Sequence, residues 1–505
     1  MVAGSGGLPL RTRVAQSIFW LAWSRGVVQL LSFATTVLVA RILVPADFGV
    51  MALAGMFIAT AGLLAEMGLG GAIVQFRDLD RRELNTCFWI TVTLAAIAYA
   101  VLSLGASVIA TWFAVPRLAE VLPVLALGLP VNACTVVSGS LLRKRLALDR
   151  VSQAEIIGAV VTLPVMLCCA LAGLGVWTLV IGSLVGWVVR GAVIFAFAPW
   201  LPGLRIGGER AKEMLYFSVT TLGVTLLWAL KEQAEVAAIG KITEQVTVGL
   251  YSMAKDLALL PTAKISSVAF MLSSPMMAEL QTDIAAMRRA FFRAVRLTSA
   301  IALPASAGMA LVADDMVAVL LGPKWLPAVP VLRLLCVYAA VRAVDVLLPP
   351  VLFARRRQRF LFWYFLVLLF AVAAAAALGA LWGRAFRQTD GSTWAAPGAV
   401  VLLTPVYCGL MVIMTKEVLA ELKGSFSELW RQTWPILGAT AAMAAVVLLV
   451  REVTFAARTE PPLFELILLS VAGAVTYLGA LFALGRTVIG EGVEIVRWIL
   501  RRGVD

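Results

Sequence analysis

The sequence predicts an all-α polytopic membrane protein of about fourteen transmembrane helices, with two six-helix lobes around a central cavity and two further C-terminal helices. Three observations predict it. Of 505 residues, 61% are hydrophobic and only 14% charged, and the mean hydropathy is +0.95. A soluble domain carries about 25% charged and about 45–50% apolar residues, so the excess must face lipid. Apolar runs of spanning length recur along the whole chain. Finally, the basic residues alternate between successive connections with one phase throughout.

The runs follow in order. The first, from about Ser17 to Ala40, follows Arg11 and Arg13; it is too long for the h-region of a cleaved signal peptide, so it reads as a spanning helix. The next five centre near Met56, Ile97, Leu127, Val165 and Trp187. A further six centre near Leu226, Ser266, Ala302, Val337, Leu369 and Tyr407, and the last two near Ala442 and Gly473. Each is bounded by polar or charged breaks, and those at Ser266 and Val337 are the least regular. Pro123, Pro130, Pro164, Pro261, Pro275, Pro304, Pro349 and Pro405 are expected to interrupt helices, which membrane helices tolerate when neighbours satisfy the freed carbonyls.

With the N-terminus inside, the cytoplasmic segments hold 27 Lys and Arg and the opposite loops 8. Cytoplasmic loops retain basic residues, so both termini are expected in the cytoplasm. The net charge of +13 is thereby mostly a topology signal and not a nucleic-acid footprint. Binding of anionic lipid headgroups by these loops is secondary. No histidine is present, which excludes His-based metal sites, Ser-His-Asp triads and the usual neutral-pH proton relay. Six cysteines fall in apolar runs without CxxC spacing; they are expected to be buried small residues, not disulfides or zinc ligands. No connection is long enough to fold as a catalytic domain, so the function is expected in the helical bundle, without a cofactor.

A short repeat appears at an offset of 200. Arg41-Ile42 matches Lys241-Ile242, and Gly49 and Ala54 recur as Gly249 and Ala254. Each copy opens an even-numbered helix from the same side, which implies lobes related by an axis along the membrane normal. The expected division is residues 1–200 for the first lobe, 201–425 for the second, and 426–505 for the last two helices and tail.

A charge at the bilayer centre costs about 2.5–3.5 kcal/mol on insertion scales, so intramembrane charges need a reason. Arg25 lies in the first span and Glu66 in the second. Lys231, Glu232 and Glu235 lie in the seventh, Lys255, Asp256 and Lys264 in the eighth, and Arg333, Arg342 and Asp345 in the tenth. Lys231 and Glu235 are spaced i, i+4 and Arg342 and Asp345 i, i+3, so each pair shares a helix face. One reading is a hydrated cavity cationic enough for a phosphate-bearing substrate; the other, equally weighted, is intrahelical pairing that eases insertion. Arg25 has no carboxylate at either spacing, and there the cavity reading leads.

The segment Val39-Ala40-Arg41-Ile42-Leu43-Val44-Pro45-Ala46-Asp47-Phe48-Gly49 resembles the "ARxLxPxxFG" opening of the polysaccharide transporter family. Glu66-Met67-Gly68-Leu69-Gly70-Gly71-Ala72 with Gln75 resembles its "ExGLGxAxxQ" continuation, and Gly249-Leu250-Tyr251-Ser252-Met253-Ala254 with Leu260-Pro261 resembles its "GxYxxAxxLxxLP" segment. The family includes Wzx-type flippases of the multidrug/oligosaccharidyl-lipid/polysaccharide exporter superfamily. The resemblance implies alternating access and an undecaprenyl-diphosphate-linked oligosaccharide as substrate. Membrane lipids and a polysaccharide polymerase or other glycan-assembly proteins would be partners. On that reading Arg25, Lys255, Arg333 and Arg342 receive the diphosphate, while Glu66, Glu232, Glu235, Asp256 and Asp345 are candidates for ion coupling. The alternatives are a cation-coupled drug exporter or lipid II flippase of the same superfamily and, from another class, a polyprenyl-sugar glycosyltransferase or polymerase.

Overall fold

The computed structural model describes residues 10–386, 394–455, 462–485 and 490–491, with the side chains of 10–25 and a few others outside that description. Among the described residues the chain is helical, and it divides into two compact units, the first running to Leu230 and the second starting at Lys231.

The first unit holds α1 (Leu10–Ile42), α2 (Pro45–Glu66), α3 (Leu69–Gln75), α4 (Arg81–Leu104), α5 (Ala106–Phe113), α6 (Leu118–Ala126), α7 (Gly128–Ala133), α8 (Val136–Lys144), α9 (Leu148–Leu171) and α10 (Val176–Phe197). The helix α11 (Ala211–Ile242) runs across the boundary. The second unit continues with α12 (Gln245–Glu279), α13 (Ile284–Leu311), α14 (Ala313–Leu320), α15 (Val329–Asp345), α16 (Leu348–Ala354), α17 (Gln358–Arg384), α18 (Ala395–Glu421), α19 (Phe426–Phe455) and α20 (Pro462–Leu484). The repeat of 200 is visible in the helix ends: α1 stops at Ile42 and α11 at Ile242, while α2 starts at Pro45 and α12 at Gln245.

Among the described residues nine helices are long and apolar enough to cross a membrane, or ten if the bent pair Leu118–Ala133 and Val136–Lys144 is one span. The other expected spans are α1, whose described apolar stretch is Gly26–Ile42, charge-bearing α11 and α12, and α15, which is 17 residues long and breaks before Pro349-Pro350. Pro164, Pro261, Pro275, Pro304 and Pro405 sit inside helices that continue through them. The cysteines are all free, but Cys134 and Cys168 are exposed and not buried. Lipid is the solvent on the outer faces, so an apolar side chain gains nothing by turning inward there.

The motif residues have local work. Pro45 starts α2, where its missing N–H is no loss. Asp47, one turn in, accepts a hydrogen bond from the Val44 N–H at 3.4 Å. At the far end Met67 and Gly68 take left-handed backbone (φ 49° and 74°), which turns the chain into α3. Gly70 lies just beyond the turn, where a Cβ would come 2.5 Å from the Glu66 carboxylate and 3.1 Å from the Ser140 hydroxyl.

In the second unit α17 and α18 meet backbone to backbone. A Cβ on Gly379 would collide with the Gly398 carbonyl, one on Gly383 with the Trp394 carbonyl, and one on Gly398 would sit 2.5 Å from the Gly379 carbonyl. This is small-residue packing at a GxxxG spacing, which van der Waals contact rewards where no hydrophobic effect acts. Helices α13, α19 and α20 share a core of Ile436, Ala439, Met443, Val447, Leu469 and Leu481, so the last two helices pack inside the second unit.

Candidate functional site

The charges of α11, α12 and α15 converge in the second unit. Lys231 pairs with Glu232 at 2.7 Å, Arg342 pairs with the other oxygen of Glu232 at 2.7 Å, and Lys255 pairs with Glu235 at 2.7 Å. Lys255 also donates to the Glu232 carbonyl at 3.2 Å. Glu235 is fully buried and accepts from the hydroxyls of Tyr251 (2.7 Å) and Tyr338 (2.9 Å). Tyr407, on α18, donates to Asp345 at 2.6 Å, and its ring lies 5.5 Å from the Lys231 ammonium and 4.9 Å from the Tyr338 ring. Three cations thus face three carboxylates, tied by three tyrosines.

Lys255–Glu235 and Arg342–Glu232 cross between helices, while Lys231 and Glu232 are neighbours on α11. Lys231 bonds Glu232, not the i+4 Glu235, and Asp345 bonds Tyr407, not Arg342. Pairing at i, i+3 and i, i+4 is therefore replaced: Glu235 is met from α12 and α15, Glu232 from α15 and its own neighbour Lys231, and Asp345 from α18. Burial makes such compensation obligatory, since removing one partner strands a charge in low dielectric.

The cluster is not uniform. Lys231 and Glu235 are sealed, while the Glu232 and Arg342 side chains are 23% and 21% exposed and form its accessible end. Arg342 Nη1 and Asp345 Oδ1 have no hydrogen-bond partner among the described residues. Both atoms are buried next to the partly exposed Glu232–Arg342 pair.

The remaining candidates lie elsewhere or face differently. Arg333 sits nine residues before Arg342, two and a half helical turns away and on the opposite side of α15. It pairs with Asp314, at the edge of a network in which Arg451 reaches Asp314 (3.5 Å), Asp315 (3.6 Å) and Glu465 (3.5 Å). Asp256 is exposed, next to Lys255 in sequence but outside the cluster. Glu66 lies in the α2–α3 turn of the first unit, over Gly70 and close to Ser140. The side chains of Arg25 and Lys264 lie outside the described residues. Sequence reasoning missed Tyr251, Tyr338 and Tyr407 as parts of the site; the usable signal was a hydroxyl in an apolar span, which needs a partner.

Known proteins resemble this one in sequence and in fold. The family model described as "Polysaccharide biosynthesis protein" matches residues 38–330, more than half of the chain. The chain is 26% identical over 341 residues to an uncharacterized membrane protein in the cps region of Klebsiella pneumoniae, covering 67% of this chain and 70% of the relative. It is 23% identical over 343 residues to the lipopolysaccharide biosynthesis protein WzxC of Escherichia coli (strain K12), covering 67% and 69%. It is 24% identical over 322 residues to the succinoglycan biosynthesis transport protein ExoT of Rhizobium meliloti (strain 1021), covering 64% and 65%. In structure it is similar to the lipid II flippase MurJ in an inward closed conformation, with a TM-score of 0.74 at 11% identity over 93% of this chain and 99% of that one. It is also similar to a multidrug resistance MATE family transporter in an inward-facing conformation (TM-score 0.62, 14% identity, 79% and 96%). Those two likenesses are likenesses of fold. The span of the sequence match settles the family: this multi-pass membrane protein belongs to the polysaccharide biosynthesis protein family.

Proposed function

We propose that the protein is a flippase that carries an undecaprenyl-diphosphate-linked oligosaccharide from the cytoplasmic to the periplasmic leaflet of the inner membrane, for export of a surface polysaccharide. The observation that carries the site assignment is the six-charge cluster of α11, α12 and α15, whose accessible end is the Glu232–Arg342 pair. The relatives named for lipopolysaccharide biosynthesis and succinoglycan transport support the substrate class.

The mechanism follows from displacement. A diphosphate competes with Glu232 for Arg342 and then with Glu235 for Lys255, because charge-assisted bonds to phosphate oxygens are strong where water is scarce. A displaced carboxylate cannot stay charged and unpaired at several kcal/mol. It takes up a proton or a cation, and this ties substrate entry to an ion. Asp345 and its Tyr407 hydrogen bond stand next to that exchange, and Arg25 and Glu66 belong to the same proposal in the first unit. The polyprenyl tail stays in lipid while the site is exposed alternately to each leaflet. No bond of the substrate is broken. A polysaccharide polymerase is the proposed acceptor of the product.

The test is leaflet transfer in proteoliposomes, with a fluorescent polyprenyl-diphosphate oligosaccharide and an outer-leaflet quencher. Protein-dependent transfer that falls at least about tenfold in Arg342→Gln, one lost charge-assisted bond's worth, is expected. Transfer at the original rate in that variant removes the site assignment. No lipid transfer, but extrusion of a cationic dye, replaces the flippase with a drug exporter; turnover of a sugar donor replaces it with an enzyme.

A further inference from the structure

The connector between α10 and α11 is not a slack loop. Asn85 of α4 holds it with both ends of its amide, accepting from the Gly203 N–H at 2.9 Å and donating to the Arg205 carbonyl at 2.9 Å. The Thr86 hydroxyl bonds both the N–H (2.8 Å) and the carbonyl (3.0 Å) of Gly207, and the Trp89 indole donates to the Gly203 carbonyl at 3.0 Å. Glu83 accepts from the Arg210 N–H at 3.1 Å. Gly207 and Gly208, at φ 118° and 124°, supply backbone that other residues strain to adopt. The result is a strap laid along the first turns of α4.

Strap and helix border a shallow, open apolar cleft of about 280 Å³, lined by Thr86, Trp89, Ile90, Thr93, Leu94 and Ile206. The strap also turns Leu204 and Ile206 outward, 87% and 65% exposed, which only a lipid environment makes cheap. Arg82 precedes Thr86 by one helical turn on the same face of α4, and Arg205 precedes Ile206 on the strap. Both are exposed, and among the described residues neither guanidinium has a hydrogen bond or ion pair. An apolar cleft with Arg82 one turn before its lining residue Thr86 and Arg205 next to its lining residue Ile206 has the charge and polarity order of one phospholipid: phosphate on the arginines, acyl chain along the cleft.

We propose that this cleft is a binding site for an anionic phospholipid of the leaflet facing the basic end of the first unit, with its phosphate on Arg82 and Arg205 and its chain along Trp89 and Ile206. The site is independent of the transport reading and holds for any activity of the second unit. Its occupant would fasten the strap from the lipid side.

The experiment uses the full chain in nanodiscs of equal phosphatidylglycerol and phosphatidylcholine, with one or the other brominated. The emission of Trp89 is isolated by subtraction of Trp89→Phe. Brominated phosphatidylglycerol should quench that component in preference to brominated phosphatidylcholine. Each of Arg82→Gln and Arg205→Gln should reduce the preference about fivefold, the worth of one basic side chain at an anionic lipid, and the double variant should abolish it. Both residues are exposed and unpaired, so folding is preserved and circular dichroism verifies it. Equal quenching by the two lipids in the wild type means annular lipid only and overturns the proposal. So does loss of the preference on adding inorganic phosphate, which makes it a site for free anion, or on adding a polyprenyl diphosphate at equal mole fraction, which gives the cleft to the transported substrate.

Discussion

Substitution of Glu235 by leucine tests the buried cluster most directly. That carboxylate is the common acceptor of Lys255 at 2.7 Å, Tyr251 at 2.7 Å and Tyr338 at 2.9 Å, and it has no exposed surface. Breaking a buried ion pair from one side costs about 3–5 kcal/mol, and each stranded hydroxyl adds about 1–3 kcal/mol. The contributions overlap, because Lys255 keeps the Glu232 carbonyl at 3.2 Å. A loss of about 4–6 kcal/mol is expected for Glu235→Leu. Adding Lys255→Met removes the stranded ammonium and should return about 2–3 kcal/mol of it, a coupling large for a contacting pair. Unfolding by SDS in mixed micelles, followed by tryptophan fluorescence, measures both. A single variant that loses less than about 1 kcal/mol, or a double variant whose losses simply add, would refute the view that these charges exist as a compensated unit.

Other expectations follow from separate places in the fold. Gly398→Ala should separate α17 from α18 and lower thermal stability markedly, whereas Gly409→Ala, on the same helix with open space around it, should leave the melting temperature unchanged. Arg451→Met should cost about 2–4 kcal/mol through its bonds to three carboxylates and the Leu311 carbonyl. The same change at half-exposed Arg333 should cost under about 1 kcal/mol. Asn85→Ala removes both amide bonds to the strap, and limited proteolysis between Leu201 and Gly208 should accelerate severalfold with α4 intact; unchanged cleavage would mean that Thr86 and Trp89 suffice.

The membrane class was legible because hydropathy is a summed property that survives errors in any one helix. The turn at Glu66-Met67-Gly68 was legible as a motif, and the structure gives its reason in two left-handed residues and the room that Gly70 leaves. The partners of the charges were not legible. Spacing along one helix reports only i, i+3 and i, i+4 neighbours, whereas Glu235 takes its partners from α12 and α15 and Asp345 from α18. Arg333 and Arg342 were grouped because they share a span, although nine residues place them on opposite faces. The broken helices around Leu127 and Val346 read as single spans because hydropathy records apolarity and not direction.

The balanced cluster also constrains how the protein is made. Lys231 and Glu232 pair within α11, but Glu235 has no partner there, and its charge alone sets about 2.5–3.5 kcal/mol against the entry of α11 into the bilayer. Its compensating groups arrive with α12 and α15, and Arg342 is translated 110 residues after Glu232. At about 5–20 residues per second the delay is about 5–20 s. Over that interval α11 must wait in a protected place, beside the insertion machinery or the helices already folded. Biogenesis of the second unit is therefore a collective event, and mutations that neutralise Lys255 or Arg342 should first be felt as degraded nascent chains.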